Sequence, residues 1–271
     1  MKYIKSIIVS LVLMVFSVSS YSQCSEDNQA FKSGEFLSYN LYYNWKFIWV
    51  KAGTASMKTI LSRYHGKPAY RASLITRGNH RVDNFFVLRD TLLCYSREDM
   101  VPLYYRKGAR EGDRYYVDEI WYTYPNGNTH LRQHRQNNDG THEWKNAEYK
   151  NCIYDMMNIF LCARSYDPAS WKVGHVVNIP LADGKDVIPA ILKYRGKSTI
   201  KADNGAKYRC LTLSYIEKED DGNMKEIVRF FITDDDNHIP IRLDMFLRFG
   251  SAKAFMTNMK GVRNPITSRV K

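Results

Sequence analysis

His130, Arg132 and His134 alternate through a strand-like stretch. On one strand face the two histidines stand about 13 Å apart at ~3.3 Å per residue. A zinc ion bonds each ligand at ~2 Å, so this spacing cannot hold one. The trio reads as a solvated basic face beside a turn, and no metal site is assigned. Asp234, Asp235 and Asp236, followed by Asn237 and His238, offer oxygen ligands of the kind calcium takes. They lack the Gly and the distal Glu of an EF-hand loop and read as a polar turn before Pro240. Glu35, Asp90, Asp118 and Glu119 could supply paired carboxylates for glycoside hydrolysis, but no spacing singles them out. Gly-x-Ser-x-Gly, His-Glu-x-x-His and phosphate-loop motifs are absent. A Ser–His–Asp triad is a spatial object that spacing alone does not assemble. No catalytic residue and no cofactor is assigned.

Two basic stretches stand out: Arg71, Arg77, His80, Arg81 and Arg89, then Arg106, Lys107, Arg110 and Arg114. Both fall around turns. They form either a solvated rim or a mouth that attracts anions such as phospholipid head groups, lipopolysaccharide phosphate or acidic glycan. The whole chain carries 40 Lys+Arg against 28 Asp+Glu, a formal charge of +12. No nucleic-acid motif accompanies that charge.

The elements that must position these residues read as β structure. Leu37, Tyr39, Leu41, Tyr43, Trp45, Phe47 and Trp49 occupy consecutive odd positions, with Ser38, Asn40, Tyr42, Asn44, Lys46 and Ile48 between them. This period of two predicts a long strand or a bent pair with one buried face. At roughly 1.5–3 kcal/mol per large side chain, leaving seven in water would cost about 10–20 kcal/mol. The face must therefore meet a helix, an opposing wall or a ligand. In the next run Ala55, Met57 and Leu61 face one way. Phe85–Tyr95 and Leu103–Lys107 read as strands, with Gly108–Gly112 a loop. Pro125-Asn126-Gly127 is a hairpin turn with Thr129–Arg135 returning. After His175 the turns at Asp183-Gly184, Arg195-Gly196-Lys197, Asn204-Gly205, Asp221-Gly222 and Asp234–Pro240 punctuate a meander.

Ile153, Met156, Met157, Phe160 and Leu161 change the period to three and four, which predicts a helix over 151–165 capped by Asn151. The fold class is mainly β: a large curved antiparallel sheet, half-barrel or barrel-like, with this helix packed on it. Hydrophobic residues at 44 % and aromatics at 14 % suit such a core and exclude a disordered chain.

Met1–Ser22 reads as a secretory signal: Lys2 and Lys5, an apolar run, then small residues. The expected organisation is a signal peptide over 1–22, a single β-rich domain over 23–264 and a frayed basic tail over 265–271. After cleavage the protein is not expected to be integral to the membrane. Cys24, Cys94, Cys152, Cys162 and Cys210 all follow the cut. Cys152 and Cys162 share the predicted helix, ~15 Å apart along it, and cannot bond each other there. Cys94 and Cys210 read as buried small hydrophobes. A chain of this length needs no covalent staple, so no disulfide is assigned.

Gly34-Glu35-Phe36-Leu37-Ser38-Tyr39, Tyr42-Tyr43-Asn44-Trp45 and Ala52-Gly53 resemble the start of an exported bacterial family, domain of unknown function 3108. Tyr154-Asp155-Met156-Met157 with Ala163-Arg164 is similar to it as well. So are Ile232-Thr233-Asp234-Asp235, Pro240-Ile241-Arg242-Leu243 and Gly250-Ser251. The resemblance implies a β-rich protein of the Gram-negative periplasm with no established activity. The curved sheet also resembles lipoprotein-carrier half-barrels, a likeness of fold alone.

These readings favour a non-enzymatic envelope protein that binds an apolar or amphiphilic, lipid-like component in the concave face. The expected ligand-binding residues are Tyr39, Tyr43, Trp45, Phe47 and Trp49, with Arg77, Arg81 and Arg89 at the rim for a head group. Partners would be an envelope lipid or an envelope protein, and no nucleic acid. Two alternatives stand: an assembly module acting through a sheet edge or aromatic patch, and a hydrolase on glycan or ester.

Overall fold

The odd-numbered aromatic row folds back on itself. The computed structural model describes residues 24–45, 48–84, 86–219, 221–247 and 250–270; the signal-like segment and Phe47 lie outside them. Strand β1 (Glu35–Trp45) returns as β2 (Ile48–Tyr64), with Trp45 opposite Ile48 and Asn44 opposite Trp49. This pairing reverses odd and even between the two strands. Trp49 therefore shares a face with Asn44 and Tyr42, not with Tyr39. An irregularity between Leu41 and Tyr42 then restores parity, so Leu41 meets Gly53, Tyr39 meets Ala55 and Leu37 meets Met57. Gly53 is required where β2 meets its other neighbour. A Cβ there would lie 2.1 Å from the Arg77 carbonyl oxygen.

The remaining elements follow as a meander: β3 (Lys67–Gly78), the short helix α1 (His80–Asp83), β4 (Leu88–Ser96), β5 (Pro102–Glu111), β6 (Arg114–Thr123), β7 (Thr129–Gln136) and β8 (His142–Tyr149). Helix α2 (Met156–Ala163) separates these from a second group: β9 (Val176–Asn178), β10 (Leu181–Ala182), β11 (Val187–Ile188), β12 (Ala190–Lys201), β13 (Lys207–Lys218), β14 (Met224–Thr233), β15 (Pro240–Leu247), β16 (Gly250–Lys260) and β17 (Arg269–Val270). In the main sheet the order is β8-β7-β6-β5-β4-β3-β2-β1-β16-β15-β14-β13-β12-β9. Two meanders are thus joined by pairing of the first long strand with the last. The sheet does not close. Across its gap the β10–β11 hairpin pairs Lys185 with Glu143 and Asp186 with Lys145 of β8.

Several local expectations change. Gly108 stays within β5, and strand β4 starts at Leu88 rather than 85. Arg195-Gly196 is a bulge inside β12, with Gly196 at φ +105°, rather than a turn. Leu61 is exposed because β2 outruns the core. The Asn126-Gly127 turn has positive φ at both residues, 54° and 80°. Helix α2 starts five residues late. Asp155, not Asn151, caps it, accepting from the Met157 and Asn158 amides.

Cys152 therefore lies outside the helix, and the expectation of no disulfide, which rested on chain length, is overturned. Cys152 forms a disulfide with Cys24 across 128 residues. Cys94, Cys162 and Cys210 are free and buried. The last residues do not fray: β17 pairs with β13, and buried Ser268 donates to Asp235.

Candidate binding concavity

Three cross-strand rows define the inner face of β1 and its neighbours. The deepest holds Met256, Tyr39 and Ala55, at 1, 6 and 9 % exposure. The middle row runs Leu213, Phe230, Leu243, Ala254, Leu41 and Gly53. Here Phe230, Leu243 and Leu41 are already partly exposed. The last row runs Tyr215, Val228, Met245, Ala252, Tyr43 and Val50. Val50 is exposed and the other five are partly exposed. From Leu37 to Tyr43 this face rises about 20 Å at ~3.4 Å per residue. Among the described residues one end of the concavity is therefore filled, and burial falls away toward the other, an apolar trough.

What fills the closed end is explicit. Helix α2 buries Met157, Ile159, Leu161 and Cys162, and its Phe160 ring lies 6.4 Å from that of Phe230. The Arg164 guanidinium, 2 % exposed, binds both Glu35 oxygens at 2.6 and 2.9 Å and donates to the Asn237 carbonyl. It also lies over the Phe31 ring. Asp155 accepts from Tyr122 at 3.1 Å, from two backbone amides and from the Asn158 amide. Complete burial outweighs those donors and pushes its carboxyl up to about 6.

The opposite wall of the same face is polar. Register places Asp90 and Tyr116 in one row across β4–β6, and Lys107, Asp118 and Arg135 in the next. Lys107 donates to Tyr116 at 2.6 Å and lies 3.4 Å from Glu111. Arg135 grips Asp118 at 2.6 and 2.9 Å. Burial pushes Asp90 up to about 6 against the opposing pull of Lys107.

The expected ligand residues scatter over this frame. Tyr39 is core, its hydroxyl donating to the Pro240 carbonyl. Tyr43 lines the trough. Trp49 lies on the outer face under Lys253, 4.2 Å from the ring centroid, in a shallow depression of about 390 Å³ with Tyr42, Asp203 and Phe255. Arg77 is exposed on the outer face and donates to the Thr76 and Asp90 carbonyls. Arg89, directly opposite Arg77 in the next strand, is neutralised by Asp83. The side chains of Trp45 and Arg81 are outside the description, as is Phe47. Glu35, Asp118 and Glu119 are each held by Arg164, Arg135 and His134, and do not converge as a carboxylate pair.

The model of the family described as a protein of unknown function, DUF3108, matches residues 38–257. The chain belongs to this family. Among solved structures it is similar to a beta-barrel-like protein of domain of unknown function DUF1849 from Brucella abortus. The TM-score is 0.54 at 12 % identity, covering 85 % of this chain and 99 % of that one. That likeness shows the fold alone. A protein from Bacteroides fragilis assigned as exported, with a YmcC-like fold, matches at TM-score 0.36 and 9 % identity, over 88 % of this chain and 100 % of that one. No curated protein matches. Among the described residues no helix is long and apolar enough to cross a membrane.

In this DUF3108 chain several of the residues that carried the family resemblance meet at the closed end. Glu35, Arg164 and the 232–237 turn form one buried network, in which Asp235 accepts from Thr233 and Ser268. These hold the plug, whereas Tyr43 and Leu243, from the same motifs, line the trough. The apolar trough residues of β14 and β15 were not picked out from the sequence. Their alternation was visible, but only the β1–β16 pairing shows which face they share with Tyr43.

On the outer face, Tyr64, Tyr95, Tyr104, Trp121 and Trp144 form a ring ladder across β2 to β8. Arg132 lies over Trp144 at 4.4 Å. His134 is buried here, 7 % exposed, stacked on Trp144 and bonded to Glu119 and His142. Of the solvated basic face expected for His130, Arg132 and His134, Arg132 stays exposed and His130 partly so, while His134 is packed between neighbouring strands.

Proposed function

We propose that this protein is exported and binds an amphiphile of the cell envelope in the open half of its concave face, without catalysing its turnover. One observation carries the reading: burial on a single continuous face fades from Tyr39 and Met256, through Leu41 and Leu243, to Tyr43, Met245 and Val50. A soluble domain gains nothing by leaving such a row unfilled, whereas ligand sites are concave, mostly apolar and edged by a few polar groups. An acyl or comparably apolar moiety fits the Tyr43, Phe230, Leu243 and Met245 wall. Its polar end then faces Lys107 and Tyr116. The Cys24–Cys152 disulfide supports an oxidising compartment, and the signal-like start supports export to the periplasm.

The test is mass spectrometry of organic extracts from protein purified out of the periplasm of a Gram-negative host. A stoichiometric lipid or other amphiphile is expected. A blank extract, together with no uptake of added fatty acid or phospholipid, would sink the reading and favour an assembly role.

A further inference from the structure

The hairpins that rim the trough expose apolar side chains to water. Ile48, Trp49 and Val50 begin β2, Phe246 and Leu247 end β15, and Met224 begins β14. Ile48 is 66 % exposed, Met224 51 % and Leu247 49 %. These tips are neighbours, because β1 pairs with β16 and β14 with β15. Phe86 and Tyr115, also exposed, continue the rim along the other meander. Away from these tips Leu61, Ile75, Trp144, Met156, Val173, Val176 and Val270 are exposed as well, but they are scattered over other elements rather than gathered on neighbouring hairpins.

Unpaired charge at the rim leans positive. Among the described residues its acids Asp83, Glu111, Glu219, Glu226 and Asp244 are each tied to a local cation. Asp113, Asp139, Glu217 and Asp221 have no ion-pair partner among the described residues. Against them stand Lys51, Arg77, Arg110, Arg114, Lys218 and Lys253, also without one. Lys51 and Lys253 flank Tyr42 from the two neighbouring strands.

We infer that this rim is a membrane-docking surface that seats on an anionic phospholipid bilayer. Apolar tips enter the interface, aromatic rings such as Trp49 and Tyr115 sit at head-group depth, and the surplus cations meet lipid phosphates. Exposed apolar tips set among unpaired cations suit a lipid surface better than a protein partner, whose interface core is depleted of charge. The proposal stands without the amphiphile reading, since it concerns empty protein. If both hold, the trough opens toward the bilayer.

Flotation of the purified protein with vesicles tests it. Vesicles of phosphatidylcholine alone are compared with vesicles carrying about 30 mol % phosphatidylglycerol, at low and high salt. Wild type is expected to float with the anionic vesicles and to lose at least tenfold in partition at high salt. Ile48→Asp with Leu247→Asp should lose at least tenfold at low salt, and so should Lys51→Glu with Arg110→Glu. Leu61→Asp, at the closed end, should float like wild type. Circular dichroism confirms that each variant is folded. Wild type that ignores anionic vesicles, that buries the tips in a dimer instead, or that floats equally with either variant pair would overturn the proposal.

Discussion

Tyr39 and Tyr43 lie four residues apart on the same face of the same strand, and their environments are opposite. Tyr39 is buried, its hydroxyl satisfied by the Pro240 carbonyl. Tyr43 looks into an open trough beside Ala252 and Val50. The closed end is held by non-local ties: Glu35 to Arg164, Cys24 to Cys152, Asn237 to Asn264, and Ser268 to Asp235. The open end, among the described residues, has strand pairing and local ion pairs such as Arg229 to Glu226 and Arg242 to Asp244. Stability and the proposed binding therefore fall at opposite ends of one set of strands, and each end is expected to be perturbed without the other.

The largest effect should come from the buried ion pair. Arg164→Met strands the Glu35 carboxylate and leaves the Asn237 carbonyl without its donor. A loss of about 3–5 kcal/mol is expected in urea unfolding. Joining it with Glu35→Met should recover part of that loss, because no lone charge remains buried. If Arg164→Met unfolds like wild type, the closed end is not the stabilising half.

Cys24→Ser should cost about 2–4 kcal/mol, measured by the same unfolding, since the bond closes a loop of more than a hundred residues in the unfolded chain. Reducing agent should lower wild type to the level of the variant and leave the variant unchanged.

Asp155 gives a pH signature confined to the closed end. Its carboxyl rises from 3.8 to about 6 on folding, so the folded state favours the protonated form. The contribution is full below about pH 4 and is lost as pH rises through about 6. Asp155→Asn keeps an oxygen acceptor at the helix cap and removes the titration. The difference in stability between wild type and variant should shift by about 1–3 kcal/mol between pH 4 and 7, against wild type at the higher pH. A constant difference would contradict a buried, protonated Asp155.

Open-end replacements should change stability least. Met245→Asp, on a partly exposed trough position, is expected to cost under about 1 kcal/mol.

Local patterns made much of this fold legible. The period of two announced the strands, the Ile153–Leu161 spacing announced α2, and Asn126-Gly127 announced its turn. The failures share one cause, the absence of a local signal for contacts made across the chain. Trp49 lies on the outer face because Trp45 pairs directly with Ile48, which reverses odd and even between the strands. Asp155 displaced Asn151 as the cap because its carboxylate also meets Tyr122, a contact 33 residues distant. The tail docks because Asp235 reaches Ser268. The candidate site was half legible. Tyr43 could be placed on an apolar face from β1 alone, but Leu243 and Met245 join it only through the pairing of the first and last long strands.

The claim that the open trough is a binding site is tested most directly by titrating a fluorescent fatty acid into wild-type, Met245→Asp and Leu61→Asp protein. Saturable uptake is predicted for wild type and Leu61→Asp, with at least tenfold weaker uptake in folded Met245→Asp. Absence of saturable uptake in wild type, or equal affinity in Met245→Asp, would contradict it.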